Sequence, residues 1–462
     1  MDQEKPSFAS VLKNPGFKYL WINQILVQLA YNTLNFTLII WVFKLTGSSL
    51  AVASLLISMY LPAILWGIFA GVFVDIADKR KIIILIDILL GLAFLGFIFI
   101  KYSYPLILLN IFFINSLGQF FIPAEGSSIP MLVPKRQLIL ANSLFSLTLY
   151  GSFMIGFSLA GPMLNFFGIN SIFYLVSISM VVAFLAALNL PSIKNSAIHQ
   201  KYRNFFGLDN FNNIWKLTRV EAQSTVRFIR GKLSISAAII LMSIVQGIIG
   251  ILAVGMPSYM ETVLHIHATD TSYFVMVPLG LGMVVGALII GRFAHNKPRR
   301  SLVIPAITLA GALFLVAGLI PLIAQYFSLS ELPIKVLHPR YFFRAPSVST
   351  LFAIGAFILG LAAVTIIIPS QTVLQEGTTE KNRGKIFSFL GVIMYSASAV
   401  PVILAGVVAD LFGPSSLFLI LGGLVFILGL VSYRPAVFFK EAHLPYKFRE
   451  FLGLGHWENS KY

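Results

Sequence analysis

The chain has 462 residues, 58% of them hydrophobic and 11% charged, with a formal charge of +16. A soluble domain carries roughly 25% charged residues, and here apolar runs of ~20 residues recur along almost the whole length, so a soluble globular fold is excluded in favour of a polytopic helical membrane protein. The positive charge does not point to nucleic acid, because all but five of the 33 Lys and Arg fall on one side once the spans are read in order.

Period-2 alternation is absent from the apolar runs, which argues against an outer-membrane barrel. Twelve spans are expected, near 18–43, 50–74, 82–100, 104–124, 139–166, 171–190, 233–260, 273–291, 301–326, 350–374, 386–411 and 415–433. The five exceptional cations are Lys44, Lys101, Lys335, Arg340 and Arg344. The basic side is therefore read as cytoplasmic, with both termini inside. Attraction to anionic membrane lipid is a secondary effect of the same charge. The chain has no cysteine, so disulfides and thiolate metal sites are excluded. The N-terminus does not resemble a cleavable signal, because Asp2 and Glu4 accompany Lys5 and the first apolar run is too long.

Span 1 is bracketed by Trp21 and Trp41, an aromatic at each interface of a ~30 Å core. Gln24, Gln28, Asn32 and Asn35 recur along it at intervals of three and four, so they share one helical face. Buried amides cost free energy unless paired, so the stripe should meet water, a substrate or a partner helix. Asn115 and Gln119 on span 4, with Asn110 nearby, and Gln246 on span 7 are candidates for the same polar cavity.

Between spans 2 and 3 runs Gly71-Val-Phe-Val-Asp75-Ile-Ala-Asp78-Lys79-Arg80-Lys81. A degraded copy stands 220 positions later, with Gly291, Phe293, Arg299 and Arg300 in place of Gly71, Phe73, Lys79 and Arg80, and His295 where Asp75 would fall. A second anchor aligns Pro123–Asn142 with Pro369–Ser388. The offset between the anchors grows by one insertion, the long loop near 327–349, which carries no assigned role. A duplicated plan implies two pseudo-symmetric six-helix bundles. The expected domains are 1–190, a linker at 191–232, 233–433 and a cytoplasmic tail at 434–462. Within the linker, Ile214–Arg230 reads as a helix with Trp215, Ala222, Val226 and Ile229 on one face, either lying on the membrane or simply solvated.

The duplicated loop resembles the signature between helices 2 and 3 of Major Facilitator Superfamily transporters. Phe17–Trp21, Leu45–Ser48, Pro123–Pro134, Gln375-Glu376 and Arg383–Lys385 extend the resemblance to the drug-efflux branch that includes macrolide-efflux and enterobactin-exporter types. The resemblance implies an all-α membrane fold, alternating access and a central cavity lined by helix 1. It also implies a gating role for Gly71, Asp75, Lys79, Arg80 and Lys81. Gly71 would admit close approach of helix 11, and Asp75 would face the N-terminus of that helix near Gly384 and Lys385. The pattern departs from the family at Ile76, at Asp78, at Asn32 and at Gly156. The last lies one residue out of register with Gly161-Pro162.

No Lys, Arg, Asp or Glu is expected mid-span. Asp75, Asp87, Glu125, Glu261, Glu376 and Asp410 all read as span-end carboxylates. Of these, Asp87 and Glu125 are the candidates for proton coupling, against a plain interfacial role. Gly280-Leu-Gly282 followed by Gly286 resembles a nucleotide loop only loosely, and Gly282 and Gly286 read as helix packing instead. His265 and His267 read as surface, and no metal, cofactor or enzymatic constellation is identified. The expected function is proton-coupled efflux of a small amphiphile across a bacterial cell membrane. A lipid or siderophore exporter, an uptake facilitator, or a transport-dead sensor on the same fold are the alternatives.

Overall fold

A computed structural model describes residues 7–193, 219–220, 222–229, 231–293, 299–326, 348–377 and 380–433. Among these residues there is no strand. A short helix α1 (Phe8–Leu12) precedes α2 (Pro15–Thr46), α3 (Ser49–Ile76), α4 (Lys79–Ile100), α5 (Tyr104–Leu132) and α6 (Leu138–Leu188). Then follow α7 (Leu233–Thr262), α8 (Val277–Phe293), α9 (Arg299–Tyr326), α10 (Val348–Gly377), α11 (Glu380–Phe412) and α12 (Pro414–Tyr433).

Eleven of these elements are long and apolar enough to cross a bilayer. Helix α6 has 51 residues, which if straight would reach on the order of 75 Å, more than twice a bilayer core. It is broken at Gly168, whose φ of 73° and ψ of 171° are open to a residue without Cβ. The two pieces make two crossings, so the described residues carry the twelve expected.

The chain divides into two compact units, Met1–Leu45 with Ser54–Gln223, and Thr46–Ala53 with Ser224–Tyr462. In the first, aromatic pairs lock the helices: Phe17 on Phe145 at 5.7 Å, Tyr31 edge-on to Phe94 at 5.9 Å, and Phe97 stacked on Phe173 at 5.3 Å. Such pairs add about 0.5–1.5 kcal/mol each beyond their burial. In the second, small residues let backbones touch. Gly282 of α8 meets the Phe357 carbonyl of α10, and Gly360 of α10 meets the Leu279 carbonyl of α8. Gly282 and Gly286 are thus packing residues, as their apolar setting implies. Gly422 of α12 meets the Leu315 backbone of α9 in the same way.

Only part of the basic linker is described. Its helical stretch 222–229 carries Ile229, buried in a cluster with Ile235, Ala238, Ile239, Met242, Leu374 and Leu390. Phe228 packs on that cluster, and Ser236 Oγ donates to the Ile229 carbonyl at 2.8 Å. Ile229 therefore faces protein rather than lipid. Trp215 and Arg230, the 327–349 loop and the 434–462 tail lie outside the described residues.

Candidate functional site

The turn between α3 and α4 anchors one end of the first unit. Asp78 has extended backbone and caps α4, its Oδ1 accepting from Arg80 N at 3.2 Å. The residue that departs from the family's glycine is thus a helix cap. Lys79 N donates to the Ile193 carbonyl at 3.1 Å, and Arg80 Nη2 donates to the Leu188 carbonyl at 2.7 Å. A guanidinium at the last carbonyls of α6 suits the negative end of that helix. Lys79 is buried and Lys81 exposed. Arg80 is therefore engaged within its own unit. A Cβ built on Gly71 meets no atom within 4 Å among the described residues. The side chains of Asp75, Gly384 and Lys385 lie outside the described residues.

The same end of the unit is tied across α2 and α5. Asn14 Nδ2 donates to the Leu132 carbonyl at 2.6 Å, and its Oδ1 accepts from Phe17 N at 3.2 Å. The starts of α2 and α4 and the ends of α5 and α6 therefore share one side. From these ends, Asn23 lies eight residues into α2, Asp87 eight into α4 and Glu125 seven back along α5. At 1.5 Å per residue each is ~10–12 Å inside.

Asp87 is 1% exposed, Glu125 5% and Asn23 0%. The span-end reading of the two acids is thereby corrected. Helix α4 begins at Lys79 rather than at 82, and α5 continues to Leu132 rather than stopping at 124. The capping by Asp78 and the tie from Asn14 extend the helices and draw both carboxylates inside. Asn23 Nδ2 donates to Asp87 Oδ2 at 2.7 Å and to the Ala183 carbonyl of α6 at 3.0 Å. Glu125 and Asp87 stand at a similar depth on α5 and α4, which pack against each other. Asn23 Oδ1, Asp87 Oδ1 and Glu125 Oε1 are buried with no hydrogen-bond donor. Asn23 escapes a sequence search because it stands off the amide stripe. No spacing in the sequence marks the three residues as neighbours in depth, because that depends on where α4 starts and α5 ends.

The stripe itself divides. Gln24 is buried, and its Nε2 donates to the Phe145 carbonyl at 3.3 Å, a helix–helix tie. Gln28, Asn32 and Asn35 are half-buried and make no hydrogen bond among the described residues. Asn32 is held close to α6, where Gly156 leaves room: a Cβ there would sit 2.8 Å from the Asn32 Cβ. The glycine that falls out of register with the family pattern is thus a contact for span 1. On α5, Asn110 donates to the Ala93 carbonyl at 2.8 Å, and Asn115 to the Ile111 carbonyl one turn back at 2.9 Å. Gln119 is half-buried without such a bond among the described residues.

In the second unit Gln246 of α7 is half-buried and likewise makes no described hydrogen bond. Asp410, near the end of α11, caps α3. It accepts from Ser48 Oγ at 2.6 Å, Ser49 N at 2.7 Å and Leu50 N at 3.0 Å. Three donors on one carboxylate fill both its oxygens, which leaves it a structural cap.

The profile of the Major Facilitator Superfamily matches residues 20–332 and 339–452. The chain is similar to macrolide efflux protein A of Streptococcus pyogenes, 24% identical over 425 residues, covering 90% of this chain and 94% of that one. It is also similar to the MFS-type transporter YfiS of Bacillus subtilis (strain 168), 26% identical over 402 residues, covering 84% and 85%. Among solved structures, a POT family transporter in complex with 5-aminolevulinic acid superposes with a TM-score of 0.65 at 13% identity, covering 93% of this chain and 97% of that one. The nucleoside transporter NupG superposes with a TM-score of 0.61 at 12% identity, covering 90% and 97%. These two likenesses are of fold alone.

Proposed function

The chain belongs to the Major Facilitator Superfamily as a multi-pass membrane transporter, and on that premise we propose that it exports a small amphiphilic molecule by alternating access, driven by protons. The observation that carries this reading is the open amide face of α2. Gln28, Asn32 and Asn35 make no hydrogen bond among the described residues, whereas the amide N–H groups of Asn23 and Gln24 bond the protein. Gln119, the second amide edge of Asn115, and Gln246 would complete the set of substrate contacts.

Amides without a fixed charge cannot compensate the desolvation of a polyanion. They can orient a neutral or singly charged solute whose apolar body is buried by the surrounding walls. Similarity to macrolide efflux proteins supports the outward direction and the amphiphilic substrate class. Asp87 and Glu125 are the proposed coupling groups. Asp75, with Gly71, Lys79, Arg80 and Lys81, is the proposed gate. The basic asymmetry supports cytoplasmic termini.

Reconstitution into proteoliposomes tests the reading. Flux of an amphiphilic drug should rise with an opposing pH gradient and vanish when the gradient is collapsed. Preferred transport of a sugar phosphate or dicarboxylate would sink it. Orientation is read separately by impermeant maleimide on intact cells: Tyr102→Cys should label, and Asn189→Cys should not.

A further inference from the structure

Three buried acceptor oxygens lie at a similar depth of the first unit with no donor. They are Asn23 Oδ1, Asp87 Oδ1 and Glu125 Oε1. The anionic pair receives one described donor, the Asn23 amide on Asp87 Oδ2, and no hydrogen bond is described at Glu125. The other charged or titratable groups on the surrounding elements are Lys18, Tyr19, Tyr31 and Lys44 of α2, Tyr60 and Asp75 of α3, Lys79, Arg80 and Lys81 of α4, Tyr104 of α5, and Tyr150 and Tyr174 of α6. The cations among them all occupy end turns. Lys79, Arg80 and Lys81 are the nearest along α4, and Lys79 stands ~12 Å from Asp87 along the axis. Tyr31 donates to the Ile114 carbonyl at 2.7 Å. No cation forms an ion pair with either acid among the described residues.

Two carboxylates so placed repel each other and lack the donors that would replace water. A single added proton relieves both defects. It removes one negative charge, and it turns one orphan acceptor into an O–H group that can donate.

We infer that Asp87 and Glu125 hold one proton between them, and that Asn23 is the positioning residue that joins this site to α2. The inference deepens the proposed proton coupling and rests on that reading for its role in transport. Asn23 bonds Asp87 of α4 and Ala183 of α6 at once, from the helix that carries Gln28, Asn32 and Asn35. Loss of the proton places a full second negative charge beside Asn23. A change in the acid pair therefore acts on the hydrogen bonds that hold the substrate-facing helix.

The test needs no transport. Full-length protein in lipid nanodiscs is titrated while infrared difference spectra follow the carboxyl C=O stretch. At neutral pH the wild type should show one buried protonated carboxyl that is absent from the Asp87→Asn/Glu125→Gln double variant. An Asn23→Leu variant loses the donor that favours the anion, so its titration should move to more alkaline pH by about one to two pH units. Asn23→Ser, which retains a donor, should fall between.

A band equivalent to two carboxyls, no band at neutral pH, or a band that survives in the double variant would overturn the shared proton. An unshifted titration in Asn23→Leu would remove Asn23 from the site. Sodium that displaces the band at fixed pH would assign the pair to a metal cation and overturn the proposal. If Asn23→Leu does not fold, the comparison of wild type with the double variant still decides the proton count. A protein that shows the band yet moves no substrate would refute the transport reading and leave the proton pair standing.

Discussion

The first unit buries ionisable and amide side chains; the second, among its described residues, buries only hydroxyls. Asn23, Gln24, Lys79, Asp87 and Glu125 are all nearly inaccessible in the first. In the second the buried polar side chains are serines and threonines, such as Ser243, Ser370 and Ser398, whose hydroxyls bond a carbonyl one turn back on their own helix. Close packing differs in the same sense. Aromatic pairs occur in both units, whereas glycine crossings against a neighbouring helix backbone are more frequent in the second, at Gly282, Gly311, Gly318, Gly360, Gly422 and Gly429. The two halves thus differ in the polar groups their interiors hold. One buries carboxylates and amides, and the other buries hydroxyls and has most of the glycine crossings.

The sharpest way to break this contrast lies in two adjacent glycines of α12. A Cβ on Gly422 would strike the α9 backbone, whereas one on Gly423 meets nothing within 4 Å. Gly422→Ala should cost about 2–3 kcal/mol by overpacking a backbone crossing. Gly423→Ala should be neutral or stabilise by up to about 1 kcal/mol. Thermal unfolding of the two variants in one detergent reads the difference, and equal melting would refute glycine crossings as the organising feature of this unit.

Next in size is the role of two carboxylates at helix ends. Asp410 caps α3 with three accepted bonds, so Asp410→Ala should lower stability by about 1–2 kcal/mol. Asp75→Asn should instead leave stability and abundance near wild type while transport falls sharply, with Asp75→Glu milder. Wild-type flux in Asp75→Asn would reduce that loop to an orientation signal.

The smallest effect on stability is expected at Asn32. Alanine keeps the Cβ that packs at Gly156 and removes an amide with no described partner. The change should stay within about 0.5 kcal/mol while the ranking among transported amphiphiles shifts. An unchanged substrate profile would take Asn32 out of the contact set.

Hydropathy and duplication make the fold legible from sequence alone, because apolar runs of bilayer length must become helices in lipid. Gly168 shows the same economy: a sequence with two apolar runs and a glycine between them folds as two crossings although the helix is nominally continuous. The amide stripe was also legible, since helical periodicity places Gln24, Gln28, Asn32 and Asn35 on one face. Periodicity did not reveal that Gln24 bonds Phe145 while the others stay open, because that depends on where α6 presents a carbonyl. Nor did it reveal the acid pair. Asp87 and Glu125 stood 38 positions apart at apparent span ends. Only the capped start of α4, the extension of α5 and the Asn14 tie set both at one depth beside Asn23. Sequence determined which segments enter the membrane, through the free energy of transferring side chains and backbone. Tertiary structure decided which polar groups found partners inside and which did not, because burial and hydrogen bonding depend on neighbours brought from distant parts of the chain.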